Sequence, residues 1–477
     1  MELKAVARII QHPGKADRPV KTAPPNPAPS QDSRGSAQSV SAHGDYFDRL
    51  AEGGIAQDRL LHERKRILGE VKVLRDENRW EDIFTLLHPA EDRAPELVAA
   101  GLQAPLLAEA AFALDHLGRF DEALALGRAC VEMDPENFHY HSGLAYTAYN
   151  SLYAAKTRRV MLHPAERKAR IELAHTHFEQ ARRLRPDGVT GLYRQGMLFK
   201  QIQNQKDKAL PLFEAAVKNW DALSAEDRKK RHQERKNFIK SLYQLSSCLL
   251  DAEKPRAAME ALARCLDEDA SSQHLKMVHK HFALGKIHFR LGQLDQARDA
   301  LDFASTFADP ADDDYVFELL ARVHLARRDL ARARQAVDRV PAQRRRPYFR
   351  WTESDVLVAE GDPDRARRIL VETAERDRRS RHKALLRLVR IDYRRGDFES
   401  CLRWARDAQA FFWDQYGNSY ADGLLWEGAA LVRLGRLEEA AGAARRLEEA
   451  HPWHPHLGRL KKALAEAAPG GSSPANP

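Results

Sequence analysis

The chain has 477 residues, of which 43% are hydrophobic and 31% are charged, with a formal net charge of +8. This length allows several domains or one repeat array, and so high a share of charge is typical of helical arrays with much exposed surface. The basic balance favours acidic partners, protein or nucleic acid, without choosing between them. No apolar run reaches the roughly 18 residues of a membrane helix, so we expect no membrane insertion. A disulfide framework is not expected either, because four cysteines are few for so long a chain. They are Cys130, Cys248, Cys265 and Cys401, and none forms a CxxC pair.

The first 45 residues have the composition of a disordered arm. Prolines recur from Pro13 to Pro29, and a serine-rich stretch follows up to Ser41. The N-terminus lacks the apolar core of a secretory signal peptide, so we expect a cytoplasmic protein. Helical periodicity starts near Tyr46 and predicts an array over residues 46–468. The array closes with a capping helix over 456–468, and a flexible tail is expected at 469–477.

A turn residue followed five positions later by a small residue recurs along this helical part. Glycine suits the turn because a helix end often needs a left-handed residue, and the small residue lets the second helix lie close to the first. From Glu253 onward the turn residues are 33 to 39 positions apart, by subtraction of their numbers. Two turns keep the frame without glycine. The pairs are Gly118 with Ala123, Glu253 with Ala258, Gly292 with Ala297, Arg328 with Ala333, Gly361 with Ala366, Gly396 with Cys401, and Gly435 with Ala440.

This pattern resembles the tetratricopeptide repeat, a helix-turn-helix unit of about 34 residues. The resemblance spans roughly residues 61–464, in about nine or ten hairpins. It implies an all-α right-handed superhelix, a solenoid of helical hairpins. Two units depart from the pattern, which predicts insertions near 155–168 and 222–236. It also implies a non-enzymatic scaffold or adaptor that binds another protein. The residues that fit best are Gly118, Phe120, Ala123, Pro135, Gly285, Gly292, Ala297, Ala304, Gly428, Gly435, Ala440 and Pro452.

In such an array the first helix of each hairpin lines a concave groove, and the side chains that point away from the second helix face it. Cations and aromatic rings dominate these positions, as at binding hot spots, and arginine also matches carboxylates. We therefore expect the groove to hold an acidic protein segment. Packing of the rings against the next hairpin, with solvated arginines, stays open as the alternative. The predicted groove residues are Tyr193, Arg194, Lys200, Tyr243, Lys286, Phe289, Arg290, Arg322, Trp351, Arg387, Arg390, Tyr393, Arg394 and Trp426.

Nucleic acid is the competing partner for the same basic groove. Basic clusters at residues 229–235, 344–346 and 378–381 suit phosphates, and rings between cations suit the unpaired bases of RNA or single-stranded DNA. Acidic residues are interspersed nearly everywhere, however, and +8 is a modest charge for this length. We therefore favour a protein partner over a nucleic acid.

The sequence contains no phosphate-binding loop, nucleophile elbow, HExxH motif or dinucleotide fingerprint, so neither enzyme activity nor a cofactor is expected. The densest histidine cluster, HPWHPH at 451–456, lacks a cysteine or carboxylate frame, and no metal site is expected. The asparagines with which members of the repeat family clamp peptide C-termini are absent at the equivalent positions. The identity of the partner, the pathway and the oligomeric state do not follow from the sequence.

Overall fold

The computed structural model describes residues 42–468, with side chains from residue 56 onward. Every regular element in this range is a helix, which confirms the all-α prediction. The first helix begins at Ala42, within the predicted arm. The rest of that arm and the predicted tail lie outside the described residues. The helices form two compact units, which divide between His274 and Leu275.

The first unit begins with one long and three short helices and continues as helical hairpins. The leading helices are α1 (Ala42–Asp76), α2 (Trp80–Leu87), α3 (Ala90–Arg93) and α4 (Pro95–Ala99). The hairpins are α5 (Ala104–Leu117) with α6 (Phe120–Met133), α7 (Phe138–Lys156) with α8 (Pro164–Leu184), α9 (Val189–Met197) with α10 (Lys206–Asp221), and, after the short α11 (Ala225–Lys230), α12 (His232–Asp251) with α13 (Pro255–Glu268). Helix α9 runs on into a π-helical segment, Leu198–Gln203.

The second unit is a run of hairpins closed by a single helix. The hairpins are α14 (Met277–Arg290) with α15 (Leu294–Ser305), α16 (Asp314–Ala326) with α17 (Leu330–Asp338), α18 (Pro347–Ala359) with α19 (Pro363–Arg376), α20 (Arg381–Arg394) with α21 (Phe398–Tyr416), and α22 (Ala421–Arg433) with α23 (Leu437–Ala450). The closing helix is α24 (Leu457–Ala467), one residue shorter at each end than expected. It covers the last apolar face through Leu457 and Leu460.

Left-handed residues end the first helices, as the repeat pattern predicts. Gly118 has φ +78° and Gly292 has φ +73°, a region that glycine enters without a steric penalty. Glu253 and Arg328 adopt the same conformation, with φ +59° and +61°. Their side chains make this backbone cost about 1–2 kcal/mol more than glycine would. The turn is therefore retained because the packing of the two flanking helices requires it.

The two helices of a hairpin touch through small residues. Gly285 of α14 lies against Leu301 of α15, so closely that a Cβ atom at position 285 would lie 2.6 Å from Leu301 Cγ. Ala297, Leu301 and Ala304 are fully buried on the facing side of α15. The small residues in the sequence pattern thus mark the contact line between the two helices.

Two segments interrupt the regular hairpins of the first unit. The first is a loop over residues 157–163, which joins α7 and α8. These two helices have 19 and 21 residues and are longer than α5, α6, α9 and α10, the helices of the neighbouring hairpins. Met161 in this loop is exposed. The second is the charged stretch around residues 224–236, which forms α11 and the first turns of α12. Ser224 caps α11 by accepting a hydrogen bond from the backbone N–H of Asp227.

Candidate functional site

In the second unit, side chains of neighbouring first helices meet along one face, which we call the first-helix face (α14, α16, α18, α20 and α22). The hydroxyl of Thr352 donates a hydrogen bond to Glu318 at 2.5 Å and joins α18 to α16. The guanidinium of Arg387 donates to both oxygens of Asp355 at 3.1–3.2 Å and joins α20 to α18. These bonds show that residues one repeat apart lie side by side on this face.

Aromatic rings and cations alternate on the first-helix face. Lys383 and Arg387 lie over the ring of Trp351, at 5.4 and 5.6 Å from its centroid. Arg322 lies over Phe289 at 5.2 Å. Cations at these distances are attracted by the negative face of the ring. The indole Nε1 of Trp351 is buried and has no hydrogen-bond acceptor among the described residues.

Two of the predicted anchors also pack against each other. The rings of Tyr393 and Trp426 meet edge to face, 5.2 Å apart, across neighbouring hairpins. Tyr393 makes a second edge-to-face contact, with Phe398 at 5.3 Å. Inter-hairpin packing is therefore one role of these rings. Both rings remain only half-buried, so part of each is accessible.

Acidic residues offset part of the positive charge on this face. Arg387 and Arg322 each pair with an acidic residue of the same face, at 3.1 and 3.8 Å. Arg390 and Arg394 are exposed, and neither takes part in an ion pair within residues 56–468. They follow Arg387 by three and seven positions on α20, a spacing that puts all three on one side of a helix.

The fourteen predicted groove residues fall into two exposure classes. The exposed ones are Arg290, Arg322, Arg390 and Arg394. The half-buried ones are Tyr193, Arg194, Lys200, Tyr243, Lys286, Phe289, Trp351, Arg387, Tyr393 and Trp426. Four of the fourteen belong to the first unit, so the predicted set is divided between two units.

Three of the four groove residues in the first unit are Lys200, Tyr193 and Tyr243, and these three are half-buried. Lys200 donates to Gln244 Oε1 at 2.8 Å, a bond between α12 and the π-helical segment. Burial raises the pKa of the hydroxyls of Tyr193 and Tyr243 to about 12. Both tyrosines therefore stay neutral at physiological pH.

Arg194 is different, because it lines a cavity of about 710 Å³ within the first unit. Its guanidinium stacks on the ring of Tyr146, with Cζ 3.7 Å from the centroid. Burial lowers the pKa of Arg194 from its usual value. Of the predicted groove residues, this arginine is the one that the structure places in a defined concavity of the described chain.

Some arginines of the basic clusters considered for nucleic acid form internal ion pairs. Arg345 is bound to Glu353 at 2.6 Å, and Arg231 to Glu234 at 3.0 Å. The arginines at 378–379, in contrast, are exposed. A guanidinium already paired with a carboxylate releases little free energy on meeting a phosphate, which weakens the argument for a phosphate-binding track.

Within the described side chains, no group of three histidine, cysteine or acidic residues is arranged to hold a metal ion. In the HPWHPH cluster, His451 donates to the carbonyl of Ser419 at 3.1 Å, and His454 lies 3.5 Å from Asp422. These two rings therefore join the connection between α23 and α24 to the start of α22. A helix long and apolar enough to cross a bilayer does not occur in residues 42–468.

Sequence reasoning missed several residues of these sites. Lys383 lies one helical turn before Arg387, and that spacing could have identified it. Tyr146 lies in the long hairpin, where the insertion at 157–163 hides the repeat frame. Arg182 lines the cavity from a second helix, and reasoning confined to first helices could not reach it.

Three segments of the chain match models described as tetratricopeptide repeat, at residues 190–221, 282–348 and 347–372. No curated protein matches the chain. Among solved structures it is similar to TTC0263, a thermophilic tetratricopeptide repeat protein of Thermus thermophilus, at 19% identity over 46% of this chain and 98% of that chain, with a TM-score of 0.35.

The chain is also similar to the Naa15/Naa10 structure bound to HypK-THB, at 15% identity over 84% of this chain and 69% of that chain, with a TM-score of 0.42. A third similar structure is the human IFIT1 dimer with PPP-AAAA, at 15% identity over 80% and 86%, with a TM-score of 0.42. The family models coincide with hairpins: 190–221 with α9 and α10, 282–348 with α14 to α17, and 347–372 with α18 and α19.

Proposed function

The chain is a tetratricopeptide repeat protein, and we propose that it is a scaffold whose second unit holds an acidic protein segment on the first-helix face. Proteins of this family are generally non-catalytic and mediate protein–protein interaction. The observation that supports an acidic segment as the partner is the row of Arg387, Arg390 and Arg394 on one side of α20. Its first member lies over the ring of Trp351.

This combination suits an acidic peptide for two reasons. The half-buried rings of Trp351 and Trp426 offer large, rigid contact area, the type of surface at which binding energy concentrates. Arg390 and Arg394 are exposed guanidinium groups without an ion pair in the described residues, so they can bind carboxylates in the two-pronged geometry of arginine. Arg387 already holds Asp355, so we assign it to positioning Trp351.

Selection of random peptides displayed on phage against the full chain tests the proposal. We expect the selected peptides to be enriched in aspartate and glutamate. We also expect the double variant Arg390→Glu/Arg394→Glu to weaken their binding at least about tenfold, or about 1.4 kcal/mol, because attraction becomes repulsion. Fluorescence anisotropy with the labelled peptides measures this change.

The matched control is Arg365→Glu/Arg368→Glu, which makes the same charge change at exposed positions of the second helix α19. It should leave peptide affinity unchanged. Selected peptides without acidic residues, or equal affinity of both double variants, would contradict the proposal. A labelled 20-nucleotide poly-dT that binds more tightly than the peptides, with a steep salt dependence, would assign the face to single-stranded nucleic acid instead.

A further inference from the structure

The cavity of the first unit carries an inference that is independent of the peptide-binding role proposed for the second. Its volume of about 710 Å³ lies within the range of small-molecule sites. Residues of α1, α5 to α9 and α12 line it, and so does the end of α11. Its lining contains four aromatic rings apart from histidine: Phe112, Phe138, Tyr140 and Tyr146.

Positive charge predominates in the lining. Six cationic and two acidic side chains face the cavity, namely Arg75, Arg182, Arg185, Arg194, Lys230 and Arg231 against Glu109 and Glu234. The attraction of the cavity for an anionic ligand depends on which of these cations lack a carboxylate partner, because a paired cation adds little attraction.

Glu234 neutralises the cations at one end of the cavity. It accepts a hydrogen bond from Arg185 at 2.7 Å and from Arg231 at 3.0 Å. Its second oxygen also accepts from the backbone N–H of Val189 at 2.8 Å. Asp187 is a second acidic partner of Arg231. This buried carboxylate and its partners form a closed structural network.

Two further cations are paired outside this network. Arg75 forms an ion pair with Glu109, and Lys230 forms one with Glu226 at 2.9 Å. Arg182 and Arg194 are thereby left as the two lining cations that have no acidic hydrogen-bond or ion-pair partner among the described residues.

Arg182 and Arg194 lie on α8 and α9, which follow each other in the chain. Arg182 donates a hydrogen bond to a neutral group, Gln195 Oε1, at 3.3 Å. Arg194 lies over the ring of Tyr146, and its guanidinium donates no hydrogen bond to another described residue. A half-buried guanidinium without an anion is costly, because burial removes hydration that no carboxylate replaces.

Asp115 is the acidic residue whose charge acts on Arg194. It forms neither a hydrogen bond nor an ion pair with that guanidinium, and its own Oδ1 has no hydrogen-bond partner among the described residues. It accepts a hydrogen bond from Asn150 at 2.5 Å, and it is absent from the cavity lining. Burial raises the pKa of Asp115 to about 6, so the carboxyl is itself poorly solvated. It contributes a long-range attraction to Arg194 without occupying its donors.

We propose that this cavity binds an organic anion, with its carboxylate or phosphate on Arg194 and Arg182 and its apolar body against the aromatic rings. The anion supplies the acceptors that the fold does not provide for these two guanidinium groups. The four rings of the lining, three of them on α7, favour an aromatic body over a bare inorganic ion. The same head group can belong to a small molecule or to the C-terminus of a peptide.

Isothermal titration calorimetry of the full chain tests this with three probes: phenyl phosphate, the peptide acetyl-Gly-Gly-Phe with a free C-terminus, and the neutral compound benzyl alcohol. We expect at least one of the two anions to bind saturably and benzyl alcohol to bind at least about tenfold more weakly. Preference for phenyl phosphate identifies a phosphorylated small molecule as the ligand class, and preference for the peptide identifies a chain terminus. Failure of both anions to bind would overturn the proposal.

The chain offers an internal control for the variants. Arg182 faces the cavity, whereas the adjacent Arg183 is exposed and pairs with Glu179 at 3.3 Å. Arg182→Gln and Arg194→Gln should each weaken anion binding about tenfold or more, and Arg183→Gln should leave it unchanged. Unchanged binding by Arg194→Gln would overturn the assignment.

A stability measurement separates a binding role from a structural one. If the role of Arg194 is to bind a ligand, Arg194→Gln removes a half-buried charge that has no ion pair, and this variant should have a higher Tm than the wild type in the absence of ligand. A lower Tm for this variant, with anion affinity retained, would assign Arg194 to structure alone. The variant Arg390→Glu/Arg394→Glu in the second unit should keep wild-type affinity for the anion, so the two proposals fail or succeed separately.

Discussion

Replacing Gly285 with alanine tests the packing on which the hairpins depend. Gly285 lies in the middle of α14, where alanine is intrinsically the better helix former by about 1 kcal/mol. In the folded chain, however, the added Cβ atom would lie 2.6 Å from Leu301 Cγ, 2.9 Å from Leu301 Cδ2 and 3.3 Å from the carbonyl oxygen of Ala297. The propensity of the helix and the contact between helices therefore act in opposite directions.

The contact should prevail. Cγ is the branch point of Leu301, and this side chain is fully buried, so it cannot yield by swinging one end aside. Overpacking of this type costs about 1–3 kcal/mol, and the close distance puts Gly285 in the upper part of that range. After the gain in helix propensity, we expect Gly285→Ala to lower the free energy of unfolding by about 1–2 kcal/mol.

Urea titration followed by circular dichroism measures the change, and hydrogen–deuterium exchange of peptides from α14 and α15 localises it to this hairpin. Gly442 is the matched control, because it also lies inside a helix, α23, and a Cβ atom there would meet nothing within 4 Å. Gly442→Ala should therefore raise stability by about 1 kcal/mol.

A double variant completes the test. Leu301→Ala alone should cost about 2–5 kcal/mol, but together with Gly285→Ala it should cost less than the sum, because the shorter side chain makes room for the new methyl group. If Gly285→Ala is as stable as the wild type, or if the two substitutions are simply additive, then α14 and α15 do not approach as closely as the structure has them.

Two further predictions concern buried titratable groups. Burial raises the folded-state pKa of Asp115 to about 6 from 3.8, so the folded chain binds more protons between these values and its stability falls as the pH rises through them. Asp115→Asn removes this loss, at most about 3 kcal/mol, and should raise Tm relative to the wild type at neutral pH but not below about pH 4; an equal shift at both would contradict the assignment. Burial also raises the pKa of the thiols of Cys130 and Cys401 to about 11 and about 12, and all four cysteines are buried. We therefore expect Ellman's reagent to label no thiol until urea unfolds the chain, and rapid labelling of the native protein would show that a thiol is accessible.

The candidate sites show where sequence reasoning stops. The sequence predicted Arg387 and Trp351 on one face, because the repeat frame places residues one hairpin apart side by side. It could not indicate that Arg387 is held by Asp355 while Arg390 is not. A side chain of seven heavy atoms reaches several neighbours, and a change of one residue in register exchanges one partner for another.

The sequence by itself determined the hairpins and their turns. The helical period, the small residue after each turn and the left-handed turn residue are local properties, and they identified Glu253 and Arg328 as turn positions even without glycine. Each of these signals lies within a single unit of about 34 residues, so no long-range information is needed to read it.

Only the tertiary structure decided which charges are neutralised and which face open space. The partners of the arginines lie on other helices, such as Glu234 for Arg185 and Glu353 for Arg345. Arg194 reaches its cavity because α7 presents Tyr146 beneath it. Charge alone does not distinguish these arginines, because the stacking of neighbouring helices sets the distance from each guanidinium to the nearest carboxylate.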